Sequence, residues 1–316
     1  MRSALIAGLL TIGLGTPVEA QFNGHNLKGD YGLLSGSQAA PGFYLSPLYY
    51  GYSADDLLDR DGNSLRRDDE QPGNLDADAA SLIFLYVTNL KLMGGNVGFL
   101  VAPSLTNNAL SIPISGISSR TSTGFGDLYL QPLILGWNAK RADFTAGLGL
   151  TAPTGEWELG GDSNRGLGMW SFEVFAGTSI YLDEEKSWHF ATAAFFETHT
   201  DKRDTDIRVG DILTLEGGLG KSFLEGALNV GVSYYAQWKL TNDDFGLDFD
   251  VPGGPVLGKH RVYGFGPELT VPIATKEKLY ALLNVRYFWE SGARTMVEGS
   301  TLLITAALPL PSISLN

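Results

Sequence analysis

The sequence contains no cysteine, which excludes disulfide bonds and thiol chemistry. Long apolar runs are also missing: stretches such as 82–87 and 302–310 fall far short of the ~20 residues that a membrane-spanning helix needs. Basic residues are few, with 22 Lys and Arg against 35 Asp and Glu, giving a net charge of −13. This balance argues against nucleic acid as a partner, because binding the phosphate backbone depends on Lys and Arg.

The first twenty residues have the pattern of a cleavable secretory signal peptide. Arg2 provides the positive start, residues 4–14 the apolar stretch, and Val18-Glu19-Ala20 a small-residue cleavage site. An exported chain without a membrane-spanning helix is either a soluble exported protein or a membrane β-barrel.

Alternation of apolar and polar residues is the strongest pattern that is present. In Ala227–Lys239, even-numbered positions from Leu228 to Trp238 are apolar, and the odd-numbered positions between them are mostly polar. Because successive side chains of a strand point to opposite faces, this predicts one lipid-facing and one interior-facing row. The same criterion predicts twelve strands, at 42–52, 78–92, 97–107, 126–137, 142–152, 169–181, 188–198, 211–223, 227–239, 259–272, 279–289 and 297–308.

The connections between these strands alternate in length. Tight turns are predicted at 93–96, 138–141, 183–186, 224–226 and 274–278, and long loops at 53–77, 108–125, 153–168, 199–210 and 240–258, with a shorter one near 290–296. Bacterial outer-membrane barrels have short periplasmic turns and long outer loops. A soluble sandwich would not need one longer class of loop, and a propeller should show blade-length repeats, which are not found here.

The predicted fold is therefore all-β, a transmembrane antiparallel β-barrel of about 12 strands in the cell outer membrane. The predicted organisation is a signal peptide at 1–20, an N-terminal periplasmic segment at 21–41 and the barrel at 42–316.

Two glycine-rich motifs resemble a known exported family. They are Thr-Gly-Phe-Gly-Asp-Leu-Tyr-Leu-Gln-Pro at 123–132 and Gly-Leu-Gly-Leu-Thr-Ala-Pro-Thr-Gly at 147–155. They are similar to the central signature of the family named for the meta-pathway of phenol degradation, which are outer-membrane β-barrels often encoded beside enzymes of aromatic catabolism. The resemblance implies a transporter of small hydrophobic or aromatic compounds and transfers no catalytic residues. The matching positions are Gly124, Gly126, Asp127, Pro153, Thr154 and Gly155.

Polar and aromatic residues on the interior rows are the candidate solute path. Charged interior groups could form a polar selectivity site or a salt-bridged plug. The aromatic residues could form a track for aromatic solutes or could simply fill space. A charge facing lipid near the bilayer centre would cost ~2–4 kcal/mol, so these charges are expected inside. The candidates are Glu173, Glu197, Glu216, Glu268, Lys239, Arg286, Tyr129, Phe175, Phe195, Tyr235, Tyr280 and Phe288.

Metal binding and catalysis have weaker support. The acidic first loop places Asp59, Asp61, Asn63 and Glu70 at ligand positions of a calcium-loop template, but Ser64 stands where the template has glycine. The four histidines, at 25, 189, 199 and 260, fit no nucleophile motif, and His189 beside Trp188 is expected at a membrane interface. No metal site, cofactor or enzymatic activity is predicted.

The sequence thus predicts a channel for passive uptake of small hydrophobic or aromatic compounds, with outer-membrane lipid and lipopolysaccharide as its surroundings. The alternatives are a plugged structural or adhesion barrel that acts through its acidic loops and, less favoured, an outer-membrane hydrolase.

Overall fold

The computed structural model describes residues 23–64, 74–112, 117–159, 161, 163–224, 227–246, 259–275 and 277–310. The predicted signal peptide at 1–20 and residues 65–73 of the acidic first loop lie outside these ranges. Within them, the chain forms one antiparallel sheet whose first strand pairs with both the second and the last, so that the sheet closes on itself. The strands are β1 (Gly42–Leu58), β2 (Asn74–Leu92), β3 (Gly95–Ala102), β4 (Ser104–Ile112), β5 (Ile117–Arg120), β6 (Gly124–Phe125), β7 (Leu128–Asn138), β8 (Ala142–Ala152), β9 (Ser171–Tyr181), β10 (Trp188–His199), β11 (Ile212–Phe223), β12 (Leu228–Lys239), β13 (Arg261–Ala274), β14 (Leu279–Arg294) and β15 (Met296–Leu310).

The wall has twelve strand positions, as the sequence predicted. β3 and β4 together form one position, interrupted at Pro103, and both pair with β2. β6 and β7 continue each other along the opposite side of that position, while β5 pairs with β4 beyond the wall. The fold is a closed, twelve-stranded antiparallel barrel.

Alternation along the strands separates the lumen from the lipid-facing surface. In β9, Glu173 and Phe175 are buried, whereas Phe172 and Val174 between them are about half exposed, at 49% and 57%. β12 repeats this, with Tyr235 buried in the interior and Val232 outside. An apolar outer surface of this kind matches a barrel embedded in lipid. The described residues contain no helix long and apolar enough to span a bilayer.

The two ends of the barrel differ. One end, called the turn end below, carries the short connections that the sequence predicted, for example at Met93-Gly94 and at 139–141. The other, called the loop end, carries the long ones. At the last hairpin the predicted 290–296 loop is wrong: β14 runs to Arg294, β15 begins at Met296, and Thr295 alone joins them with φ 53°.

The predicted periplasmic placement of 21–41 differs from the structure over its described part, residues 23–41. This N-terminal segment extends from the start of β1, at the turn end, up through the lumen. Ser37 bonds Asp143 near the turn end, and His25 bonds Asp127 near the loop end. Buried interior side chains on the strands between them bond its backbone, and this holds the segment inside the barrel.

Candidate functional site: a lumen divided by the N-terminal segment

Three interior glutamates of the wall hold the backbone of the N-terminal segment. Glu197 on β10 accepts hydrogen bonds from the backbone N–H of His25 (2.7 Å) and of Asn26 (3.3 Å). Further toward the turn end, Glu216 accepts one from Tyr31 N–H at 3.1 Å. Glu268 on β13 accepts one from Leu33 N–H at 2.9 Å. These bonds give the backbone N–H groups of the irregular segment their acceptors. They also give donors to carboxylates that would be costly to bury unpaired.

Cationic groups complete this attachment. The Arg286 guanidinium donates from Nη1 to the carbonyl oxygens of Gly29 and Asp30, and its Nε lies 3.2 Å from Glu268 Oε1. Lys28 of the segment forms an ion pair of 2.8 Å with Glu290 on β14. Lys239, another predicted lumen cation, pairs with Asp243 at 2.8 Å. These interior charges are therefore paired in salt bridges, which is one of the two arrangements that the sequence allowed.

Small residues let the segment lie flat against the wall. A Cβ added at Gly36 would stand 1.9 Å from the backbone carbonyl carbon of Thr178 on β9. Gly32 has φ +61°, and a Cβ there would approach Glu268 and Arg286 at 2.3–2.5 Å. Only glycine combines this backbone freedom with so close an approach.

The two halves of the glycine-rich signature meet at the loop end. Gly155 N–H donates to Asp127 Oδ1 at 2.9 Å, and Thr154 Oγ1 donates to the carbonyl of Gly126 at 3.0 Å. Leu167 N–H donates to Asp127 Oδ2 at 2.7 Å. The signature thus fixes the 153–170 loop to the start of β7.

The same aspartate binds the N-terminal segment. His25 Nε2 lies 2.8 Å from Asp127 Oδ2, and His25 Nδ1 lies 2.6 Å from Ser171 Oγ. Burial alone would raise the pKa of Asp127, but the bonds to His25 and to two backbone N–H groups lower it below its usual range. Asp127 is therefore a charged anchor shared by the strand, the outer loop and the segment.

Interior aromatic rings pack around Tyr31, at the middle of the segment. Its ring lies 4.8 Å from that of Phe195 and 6.3 Å from that of Phe175, centroid to centroid. Gln131 Nε2 donates to Tyr31 Oη at 2.5 Å and to Tyr129 Oη at 2.8 Å. This amide links the segment to the wall.

The remaining predicted aromatic residues differ in where they lie. Tyr235 and Phe288 are buried against each other, with centroids 5.0 Å apart, beside Gly29 of the segment. Tyr280 differs from the prediction: it is 49% exposed at the turn end of β14, with Lys278 Nζ 5.3 Å from its ring. A register shift between β13 and β14 at Ile273 and Ala274 interrupts the alternation there.

A cavity of about 480 Å³ occupies the other side of the lumen, between the segment and strands β1–β4 and β7–β9. It reaches Asp127 and Arg165 near the loop end and Gln38 and Thr145 near the turn end. Its middle is largely apolar, formed by Leu27, Leu34, Leu48, Ile83, Leu85, Leu100, Ile134 and Phe175. The segment therefore divides the lumen into a closely packed half and a half that contains open space.

Loops fold over the closely packed half at the loop end. Met169, Ile207, Val209 and Ile212 form a buried apolar cluster. Lys202 donates to the carbonyl of Leu167 at 2.6 Å, and burial lowers the pKa of its ammonium to about 8.

Two further expectations concern His189 and the described part of the first loop. His189, expected at an interface, is fully buried in the lumen, and its neighbour Trp188 is the exposed residue. Asp59 Oδ1 accepts the N–H groups of Asp61 and Asn63, so it caps a turn. Glu70 lies outside the described residues, and no metal-ligating cluster occurs within them.

Sequence reasoning missed the partners of the interior carboxylates. The interior glutamates were predicted, but four of their hydrogen bonds come from backbone N–H groups of the N-terminal segment, which leave no side-chain signature. One signal was available: Gly24, Gly29, Gly32 and Gly36 recur in a polar stretch just before the first strand.

Comparisons with known proteins agree with this architecture. Residues 54–306 match the family described as "Putative MetA-pathway of phenol degradation". The COG4313 outer membrane channel from Pseudomonas putida F1 superposes with a TM-score of 0.72 at 15% identity, covering 90% of this chain and 100% of that chain. The transport unit of the autotransporter AIDA-I from Escherichia coli gives a TM-score of 0.52 at 9% identity, covering 93% and 96% of the two chains. No curated protein sequence matches significantly. The chain belongs to the phenol-degradation-pathway family and is an outer-membrane β-barrel protein.

Proposed function

We propose that this protein is a channel through which small hydrophobic or aromatic compounds enter the periplasm passively, along the cavity beside the N-terminal segment. The observation that carries the proposal is the cavity itself, which extends from Asp127 and Arg165 near the loop end to Gln38 near the turn end. Its apolar middle suits a solute that gains free energy by leaving water.

The division of the lumen favours small solutes. About 480 Å³ is enough for a monoaromatic compound, and the ion pairs Lys28–Glu290 and Arg286–Glu268 occupy part of the lumen beside it. Twelve-stranded barrels lie between side-chain-filled eight-stranded ones and open sixteen-stranded porins, which agrees with a narrow path.

The comparisons support the same function. The family is described by phenol degradation, and the Pseudomonas putida protein with the same fold is named an outer membrane channel. Such a channel would need no coupled energy source, because the solute moves down its own concentration gradient.

A specific observation also favours a second candidate, a plugged barrel that acts through its outer loops. The segment is held against the wall by the ion pair Lys28–Glu290 and by Arg286, which pairs with Glu268 and donates to a backbone carbonyl of the segment. Such firm attachment favours a lumen that stays closed. The two candidates predict opposite results in a transport assay.

The test is uptake of labelled toluene, benzoate and a sugar by cells with and without the gene, at limiting concentration. A channel of the proposed kind predicts slower aromatic entry in the deletion strain, restored by the gene, with sugar entry unchanged. Equal uptake of all three compounds would contradict it and support the plugged barrel.

A further inference from the structure

At the turn end, the cavity stops against one side chain of the N-terminal segment, that of Gln38. Leu100 on β3 and Ile134 on β7 line the cavity, and so does Gln38. The next interior positions toward the turn end are Gly98 and Gly136, which are not among the described residues that line it. Gln38 therefore separates the cavity from the last part of the lumen along these two strands.

Two glycines make room for Gln38. Gly98 and Gly136 lie on the adjacent strands β3 and β7, and both are buried. A Cβ added at Gly136 would overlap the Gln38 side chain, and one added at Gly98 would stand 3.1 Å from Gln38 Nε2. The Gln38 side chain thus fills a notch in the wall, which exists because these two positions have no side chains.

Gln38 fills the notch without a hydrogen bond from its amide nitrogen. Nε2 is buried and has no acceptor among the described residues. The neighbouring residues of the segment are bonded to the wall: Ser37 Oγ donates to Asp143 at 3.0 Å, and Gly36 N–H donates to Ser179 Oγ at 3.2 Å. A buried donor without an acceptor is costly. Moving the Gln38 side chain out of the notch therefore costs less than moving the segment off the wall.

Polar residues continue the lumen beyond the notch. Asn96 pairs with Gly136 across the two strands, and Asn138 follows two positions later at the end of β7. Alternation places both on the same face as the glycines, and Asn138 is exposed to solvent. A solute that passed the notch would reach water at the turn end, which is the periplasmic side of an outer-membrane barrel.

We propose that the notch at Gly98 and Gly136 is the exit of the cavity, and that Gln38 is the stopper that determines which solutes leave. The backbone of the segment stays bonded to the wall, and the Gln38 side chain rotates away as a solute passes. The space left by two absent side chains suits a flat aromatic ring and excludes a bulky sugar. The inference rests on the proposed function, because it names the exit of that channel.

Gln38→Ala tests the stopper. Uptake of labelled toluene is measured in deletion cells that express the wild type or the variant at equal levels. The variant should take up toluene about threefold faster or more, because no side chain has to leave its rotamer before the solute passes. Asn89→Ala removes an exposed amide group at the turn end and should leave uptake unchanged. Uptake at the wild-type rate in Gln38→Ala would overturn the role of Gln38.

Liposome swelling in a sugar solution shows whether the segment has stayed in place. Gln38→Ala should swell at the wild-type rate, because the bonds of Ser37 and Gly36 to the wall remain. Sugar entry that rises as much as toluene uptake would mean that the whole segment had left the wall, and it would contradict a stopper made of one side chain.

Filling the far side of the notch is an independent test. Asn96→Trp places a large ring beyond Gln38, and Val97→Trp places one on the opposite face of the same strand. Gel migration of unheated samples checks that both barrels have formed. Asn96→Trp should reduce toluene uptake to that of the deletion strain, while Val97→Trp should keep the wild-type rate. Equal uptake by the two variants would overturn the position of the exit.

The outcomes separate this inference from the proposed function. If wild-type cells take up toluene faster than the deletion strain, but neither Gln38→Ala nor Asn96→Trp changes the rate, the channel stands and the exit is wrong. If wild-type and deletion cells take up toluene equally, the channel function is wrong, and the exit is wrong with it.

Discussion

His25 and Asp127 are separated by 102 residues in the sequence, yet their side chains meet at 2.8 Å inside the barrel. The contact joins the N-terminal segment to the motif that carries the family resemblance. It also positions the segment at the edge of the cavity, since both residues line it. The motif at the start of β7 therefore does more than shape the wall, because it also holds the N-terminal segment that narrows the lumen.

Removing this contact should loosen the loop end of the segment. His25→Ala deletes the bonds to Asp127 and Ser171, so the unfolding free energy should fall by about 1–3 kcal/mol, the range for a buried bond with a charged partner. Single-channel recordings in planar bilayers should show larger or more frequently fluctuating currents. Asp61→Asn serves as the control for a general effect of a polar substitution, and identical currents in all three proteins would contradict the role of His25.

Acidification should weaken the same anchor. The pKa of Asp127 is lower in the folded protein than the ordinary value of about 3.9, so its contribution is fully present above pH ~4. That contribution disappears as the pH falls through the lowered pKa of the folded state. Channel current should therefore rise below pH ~4 in the wild type. Asp127→Asn should lack this component of the pH response, and an unaltered pH profile in that variant would count against the anchor.

Gly36→Val should displace the segment from the wall. The added Cβ would overlap the Thr178 backbone, which cannot move without disturbing β9. We expect the barrel to form, since its strands pair independently of the segment, but to become more permeable to small solutes in liposome swelling. Ala80→Val on the exposed face of β2 is the control, and swelling at wild-type rates in both variants would show that the segment tolerates the side chain.

Gln131→Leu should uncouple Tyr31 from Tyr129. The substitution removes two N–H donations while keeping the side-chain volume similar, and it should cost about 1–3 kcal/mol of unfolding free energy. Urea-induced unfolding in lipid vesicles measures the change. A loss below about 0.5 kcal/mol would mean that water replaces the amide without cost.

Prediction from the sequence succeeded where one physical constraint acts on every residue of an element. The alternation of β9 and β12 follows from lipid on one side and the lumen on the other, so the interior positions of Glu173 and Tyr235 could be predicted. Tyr280 was predicted wrongly because a bulge near Ala274 changes the register at the turn end, and nothing in the local alternation marks it.

The placement of residues 23–41 could not be predicted in the same way. Their contacts are made largely by backbone N–H groups of His25, Tyr31 and Leu33 to distant glutamates, and every sequence has such groups. What the sequence did contain was a set of interior carboxylates with too few interior cations. In a barrel, that imbalance is a reason to look for a segment of chain, or a ligand, inside the lumen.

The most direct test of the cavity as the solute path uses the absence of native cysteine. Ala79→Cys places one thiol in the cavity, and Ala80→Cys places one on the opposite, exposed face of the same strand. Each variant is labelled with a bulky thiol reagent in detergent, checked by mass spectrometry and reconstituted into liposomes for toluene flux. The label at position 79 should block flux while the label at position 80 leaves it unchanged. Equal flux through the two labelled proteins would contradict a path through this cavity.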